Sequence, residues 1–177
     1  MTPFELKASL GSMKLTVDTR EQPTKKLNRR LEVCGLPSER RKLDVGDYSC
    51  TCILPDGKEL DFSKHTVVER KMSLDELCAC FGRERARFER ELERAKKNDI
   101  KVYLLVEGGS WEKTYNGKYR SQLKPQALVA SIGAFRARYG IQLDFCREET
   151  TGRIIRDILY RELKEYLEGL EVPGSDG

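Results

Sequence analysis

A buried strand in this chain runs straight into three charges. His65-Thr66-Val67-Val68 is largely β-branched and apolar, the composition of a strand inside a sheet, and Glu69-Arg70-Lys71 follows without a break. Three consecutive charges leaving a core strand are costly unless they reach solvent or serve a site. An acid-any-lysine triplet is common in a chain with 35% charged residues, so the triplet alone decides nothing. Its context does. Gly46-Asp47 lies upstream, and the span from Asp47 to Glu69 suits two neighbouring strands joined by a hairpin, which brings the acids side by side. Two acids can hold a divalent cation, which binds a phosphate oxygen and a water. A lysine beside them can orient that water or stabilise charge on the phosphate. Asp47, Glu69 and Lys71 are therefore the candidate centre of a metal-dependent phosphodiesterase.

The rest of the chain alternates strand and helix patterns. Met13 to Asp18 reads as a short strand, and Lys25 to Cys34 as a helix with Leu27, Leu31 and Cys34 on one face and Gly35 as its stop. Leu43 to Val45 is expected to begin a second strand. Tyr48 to Leu54 and Glu59 to Glu69 flank the turn Pro55-Asp56-Gly57-Lys58. Ser73 and Glu76 form a capping box for a helix with Leu74, Leu77 and Phe81 inward. Gly82 interrupts it, and Arg83 to Lys97 continues as a charged helix laced by pairs such as Arg87 with Glu91 and Glu93 with Lys97. Ile100 to Glu107 is the most hydrophobic strand and is expected at the centre of the sheet. After the polar loop Gly108 to Lys124 come a helix over Ala127 to Tyr139, a strand over Ile141 to Phe145, and a closing helix over Arg153 to Leu167. That last helix is expected to turn Ile154, Ile158, Leu163 and Leu167 inward. Strands alternating with helices imply an α/β layer fold.

A length of 177 residues suits one domain with its own core. Residues 1–12 look unlike the rest, and Gly11-Ser12 before Met13 resembles a fusion scar. The expected division is therefore a leader or tag remnant at 1–12, the folded domain at 13–170 and a disordered tail at 171–177. No apolar run is long enough to span a membrane and no signal peptide is visible, so no membrane partner is expected. The location expected is intracellular: cytoplasm or nucleoid, or nucleus in a eukaryote. Lys and Arg number 33 against 29 acids, and a net charge of +4 does not by itself announce a nucleic-acid binder. The pairs Cys50-Thr51-Cys52 and Cys78-Ala79-Cys80 lack the C-x2-C spacing of zinc sites, and there is one histidine. The six cysteines read as small buried or half-buried thiols in a reducing compartment.

Several motifs in order resemble the XPF-type structure-specific nucleases. They are Val17-Asp18-Thr19-Arg20-Glu21, then Val45-Gly46-Asp47-Tyr48, then Glu69-Arg70-Lys71 with Asp75 after three residues, Gly82-Arg83, and Val102 to Glu107. The resemblance spans roughly Met13 to Leu167. It implies a restriction-endonuclease-like α/β core, a central mixed β-sheet flanked by helices. It also implies an endodeoxyribonuclease acting on branched or single-strand/double-strand junction DNA in repair, recombination or replication processing.

Hard oxygen ligands suit Mg²⁺ or Mn²⁺ at Asp47 and Glu69. The resemblance adds the backbone carbonyl of Arg70 to the metal shell and gives Lys71 the catalytic charge. Asp18 is a further candidate metal ligand, or else a strand-end turn aspartate. Arg20 and Arg70 can grip the scissile phosphate in a bidentate way, or form structural ion pairs with Glu21 or Asp75. Glu21 stands at a matching family position that supports the site. Asp75 reads as a residue behind the metal ligands, or as an acid stabilised by its own helix N-terminus. Arg83 is a candidate phosphate contact. Trp111, Lys113, Tyr115, Lys118, Tyr119 and Arg120 interleave aromatics with cations, a composition that can stack on unpaired bases, though a surface loop with an anchored tryptophan reads equally well.

Many family members carry a tandem helix-hairpin-helix module after this domain, and no such module is read in this sequence. A homodimer, or a partner protein supplying DNA docking, is expected in its place. The family also includes catalytically silent DNA-binding scaffold subunits. These usually lose the acids, whereas Asp47, Glu69 and Lys71 are intact here.

Overall fold

Side chains alternate across a strand, so the segment that ends in Glu69-Arg70-Lys71 must divide its residues between two faces. The computed structural model describes residues 1–170 and places a separate core on each face. The elements run α1 (Pro3–Gly11), β1 (Lys14–Val17), α2 (Lys25–Cys34), β2 (Ser38–Arg40), β3 (Tyr48–Ile53), β4 (Glu59–Asp61), β5 (Thr66–Lys71), α3 (Leu74–Phe81), α4 (Arg85–Lys97), β6 (Lys101–Glu107), α5 (Trp111–Tyr115), α6 (Pro125–Tyr139), β7 (Gln142–Cys146) and α7 (Glu148–Gly169). The strands form one mixed sheet in the order β2-β1-β3-β5-β6-β7, with β4 paired to β3. Strands β5, β6 and β7 are parallel, and β3 is antiparallel to both β1 and β5. This is the α/β architecture the sequence implies.

The two parallel crossovers, β5 to β6 and β6 to β7, advance in the same direction. Right-handed crossovers therefore put α3, α4 and α6 on one face. There Leu77, Phe88, Leu92 and Phe135 pack with Val67, Leu104 and Val106. The other face is left to α2 and α7, where Leu27, Leu159 and Leu163 pack with Val17, Tyr48, Val68 and Leu105. No helix of the described residues is long and apolar enough to cross a membrane.

Several expectations are corrected. Leu43 to Val45 forms bends instead of a strand, because the chain there wraps around the Asp18 carboxylate. The short β2 goes unrecognised in the sequence because its three residues, Ser38-Glu39-Arg40, are polar. Glu59 to Glu69 is not one strand. Asp61 caps a 3-10 turn at Phe62–Lys64 by accepting from Ser63 N at 3.1 Å, and this turn separates β4 from β5. Strand β6 is interior and parallel to both neighbours, which explains its hydrophobicity, but it lies one strand from the edge.

Helix α7 begins at Glu148 and buries Thr151, Ile155, Leu159, Leu163 and Leu167, leaving Ile154 and Ile158 at the margin. The rotation is set at Gly152, where a Cβ would collide with the Arg30 carbonyl and stand 2.9 Å from Cys34 N. Glu76 completes its cap one residue early, accepting from Met72 N at 2.6 Å.

Residues 1–12, set outside the domain on sequence grounds, fold onto it. Thr2 and Glu5 form a capping box for α1, Ser9 is buried, Leu6 and Leu10 join the α7-side core, and Ser12 Oγ accepts from Ile53 N at 2.8 Å. The tail expected at 171–177 lies outside the described residues.

Candidate active site

Strand β5 sends Glu69 and Lys71 to the α4 face and Arg70 to the α7 face. Asp47 enters from the adjoining start of β3. Its backbone N–H donates to Val68 O at 2.9 Å, and its Oδ2 accepts from Arg70 N at 2.8 Å. Gly46 makes this junction possible. Its φ is +77°, and a Cβ there would stand 2.8 Å from Val67 Cβ. The result is two carboxylates and an ammonium on one face at the end of the sheet. Glu69 is 8% exposed and Lys71 6%. Lys71 Nζ donates to Glu69 Oε1 and lies 5.4 Å from the Phe88 ring centre.

Desolvation raises the Asp47 pKa well above the usual carboxylate range, and the charges of Glu69 and Glu21 add to it against the Arg70 N–H bond and Lys71. Burial also raises Glu69, helped by the charge of Glu91 and opposed by Lys71. Burial alone would lower Lys71, but the Glu69 charge overrides it, so Lys71 is held in its charged form. Cys80, nearby, is pushed by burial up to about 11 and stays a neutral thiol.

The structure gives Asp18 a different task from metal ligation. It is fully buried; its Oδ1 accepts from Arg20 N and Nε at 2.8 and 2.6 Å, and its Oδ2 accepts from Leu43 N at 2.6 Å. It is a strand-end aspartate that aims Arg20 and pins the loop leading to Asp47. The Arg20 side chain remains 59% exposed and its charge acts on Glu69. Arg70 does not reach the acid face. Its guanidinium pairs with Glu107 at 3.2 Å and Glu21 at 3.7 Å behind the sheet, the structural alternative. Asp75 turns to the loop after α5, where its Oδ1 accepts from Arg120 N and Ser121 N, both at 2.8 Å. It secures that loop and does not back the acids.

The loop divides likewise. Trp111 packs edge-on against Phe145, and Tyr119 OH donates to Leu123 O at 2.7 Å, so both are anchors. Lys113 donates to Gly108 O at 2.7 Å, and Arg120 pairs with Asp75 at 3.4 Å. Tyr115, at 63% exposure, is the aromatic left open for stacking, and Lys118 and Arg83 are exposed.

Four functional neighbours escaped the sequence reading. Glu91, assigned to a surface pair with Arg87, instead accepts from Gly46 N at 3.2 Å, while Arg87 pairs with Glu84. Its position three residues past Phe88, on the helix facing Lys71, was the signal available. Arg40 donates to the carbonyls of Asp18, Thr19 and Glu21, holding the turn that carries Arg20. Arg30 and Glu107 join Glu21, Tyr48 and Arg70 in a buried network behind the site: Arg30 donates to Tyr48 OH at 2.9 Å and stands 3.7 Å from both Glu21 and Glu107. Both looked like ordinary helix and strand-end charges.

The acid face holds Asp47, Glu69 and Glu91 against Lys71 and an Arg20 already bound to Asp18. Acidic groups are in excess, and a divalent cation would offset that excess. Among the described residues, no three Asp, Glu, His or Cys side chains converge into an all-protein cage. Two carboxylates with water and substrate phosphate are the usual set for Mg²⁺.

A mixed sheet that ends in this constellation defines a nuclease domain of the XPF type. The chain belongs to the ERCC4 domain family, which it matches over residues 17–158, a family of DNA nucleases. XPF from Aeropyrum pernix has the same fold, with a TM-score of 0.63, 23% identity, and coverage of 92% of this chain and 67% of that one. A second structure, of Aeropyrum pernix XPF in complex with DNA, aligns with a TM-score of 0.57 and 25% identity over 90% of this chain and 68% of that one. No curated protein sequence matches the chain.

Proposed function

We propose that this domain is an intracellular endonuclease that hydrolyses DNA phosphodiesters where single and double strands meet. It would use Mg²⁺ or Mn²⁺ at Asp47 and Glu69, with a second copy or a partner protein for docking. The observation that carries this reading is the placement of the Asp47 and Glu69 carboxylates on one face at the end of the sheet, with Lys71 Nζ donating to Glu69. Family membership and the DNA-bound Aeropyrum pernix structure support DNA as the substrate. The six free, buried cysteines suit a reducing compartment.

A divalent cation held there supplies a positive charge for a phosphate oxygen and lowers the pKa of a bound water. The protein's own residues do the rest. Arg70 N–H fixes the Asp47 carboxylate, and Asp18 aims the exposed Arg20 guanidinium at the phosphate. Lys71, held protonated by Glu69, acts as a charge stabiliser and not as a base. As a water would bond to phosphorus in line and the P–O bond to the leaving ester oxygen would break, with the water's proton passing to solvent and the leaving oxygen taking one from solvent, Lys71 and Arg20 would take up the charge that builds on the phosphoryl oxygens.

The test is cleavage of labelled duplex, single-stranded, flap and fork DNA with Mg²⁺ or Mn²⁺. Wild type should cut forks or flaps, Glu69→Ala should not, and Lys71→Ala should lose about 10²–10³ in rate. DNA binding without cleavage by wild type under any condition would move the reading to a silent scaffold subunit. Glu91 gives a separate expectation. Glu91→Ala should weaken Mg²⁺ binding, followed by calorimetric titration, by about 10–100-fold. Glu91→Gln, which keeps an acceptor for Gly46 N–H, should weaken it less. Equal, unaltered affinities in both would remove Glu91 from the site.

A further inference from the structure

A pocket of about 460 Å³ opens beside Arg20, walled by the loop Lys42–Val45, by Lys64 and by Arg94 of α4. Four cations line it, of which Arg20 is bound to Asp18, and Asp44 is the one acid in the lining. That acid is already engaged: Lys64 Nζ lies 3.0 Å from its Oδ2, and Arg94 donates to its carbonyl at 3.5 Å. Lys42 is exposed and has no carboxylate within ion-pair distance among the described residues. On α7, by contrast, Arg161 pairs with Glu165 and Lys164 with Glu168. Leu43, Val45 and Ile100 give the pocket apolar walls, which concentrate the field of unmatched charge. Arg20 belongs to both places, lining the pocket while its charge acts on Glu69, and Val45 directly precedes Gly46-Asp47.

We propose that this pocket holds backbone phosphates of the DNA strand adjacent to the phosphodiester being cut, with Lys42, Lys64 and Arg94 as their contacts. The inference rests on the nuclease reading above and deepens it: a strand positioned at Asp47 and Glu69 passes Arg20 and enters a concave, cationic channel. Such contacts set register and affinity without reading sequence.

The test is binding of a fluorescent fork DNA in EDTA, where it is not cut, over a range of NaCl. In the double variant Lys42→Ala/Arg94→Ala the slope of log affinity against log salt should fall in magnitude by about 1.4–1.8, the loss expected for two phosphate contacts. The control pair Arg153→Ala/Arg161→Ala, on α7 across the sheet, should keep the wild-type slope. Lys42→Glu alone, with its melting midpoint checked, repeats the test without touching α4 and should weaken binding on every sequence. An unchanged slope in the double variant, or an equal fall in the control, overturns the subsite while leaving the nuclease reading in place. Wild type that binds no DNA overturns both.

Discussion

Asp47→Asn should abolish the proposed divalent-cation-dependent cleavage and, in the metal-free protein, should raise the melting temperature. The two effects share one cause. Asp47 is desolvated and stands among the charges of Glu69 and Glu21, so its ionised form is disfavoured in the fold. Asparagine keeps an oxygen for the Arg70 N–H bond and removes the charge. A stabilisation of ~1 kcal/mol corresponds to about 2–4 °C in a chain of this size. The sign with pH follows. A carboxylate whose folded pKa is raised costs nothing below its unfolded value, about 3.9. The cost grows as pH rises above that value and levels off once pH passes the folded value. The advantage of Asp47→Asn should therefore vanish in acid and open toward neutral pH. Magnesium should raise the wild-type midpoint and leave the variant unmoved. A variant less stable than wild type at neutral pH, or one still stabilised by magnesium, would contradict this account of the acid face.

Arg30→Ala should produce the largest loss of stability, about 3–5 kcal/mol, because it removes one partner from a buried ionic network. Arg30 and Arg70 are the cations of that network, Glu21 and Glu107 its anions. Tyr48 OH donates to Glu21 at 2.6 Å, and Thr151 Oγ1 to Glu107 at 2.7 Å. Burial and the neighbouring Glu21 carboxylate raise the Tyr48 pKa, which keeps its hydroxyl a donor. Little slack remains, since the Nε atoms of Arg30 and Arg70 are already buried without a partner. Removing Arg30 leaves Glu21 and Glu107 to share the Arg70 guanidinium under the sheet and disturbs Arg70, whose backbone N–H holds Asp47. Urea unfolding of Arg30→Ala, Glu107→Gln and their combination would measure this, with the double variant costing less than the two singles together. A loss below about 1 kcal/mol, the range of exposed ion pairs, would mean that the network contributes little.

The legible parts of the site were those written in contiguous residues. Gly46-Asp47 and Glu69-Arg70-Lys71 announced themselves because strand alternation and a left-handed glycine act over one or two residues. The illegible parts were contacts between distant segments. Glu91 looked like one acid among many on a charged helix until α4 packed over β5 and aimed it at Gly46 N. Asp18, Arg70 and Asp75 each had two readings, and the choice depended on which face or loop each carboxylate or guanidinium met. The helix α7 stripe was misread in part because Ile154, Ile155, Ile158 and Leu159 offer two overlapping apolar faces, and the close approach of Gly152 to α2 selected between them.

What the sequence by itself determined is the alternation of strands and helices, the nuclease motifs in their order, and the three residues at the centre, because local propensity and short-range periodicity suffice for those. Tertiary structure alone decided that Arg70 and Asp18 support the site from outside it, that Glu91 joins it, that Arg30 and Glu107 lie beneath it, and that residues 1–12 belong to the fold. A charged side chain's task depends on which opposite charge it meets once water is excluded, and that partner is fixed only when the sheet and its two helical layers close.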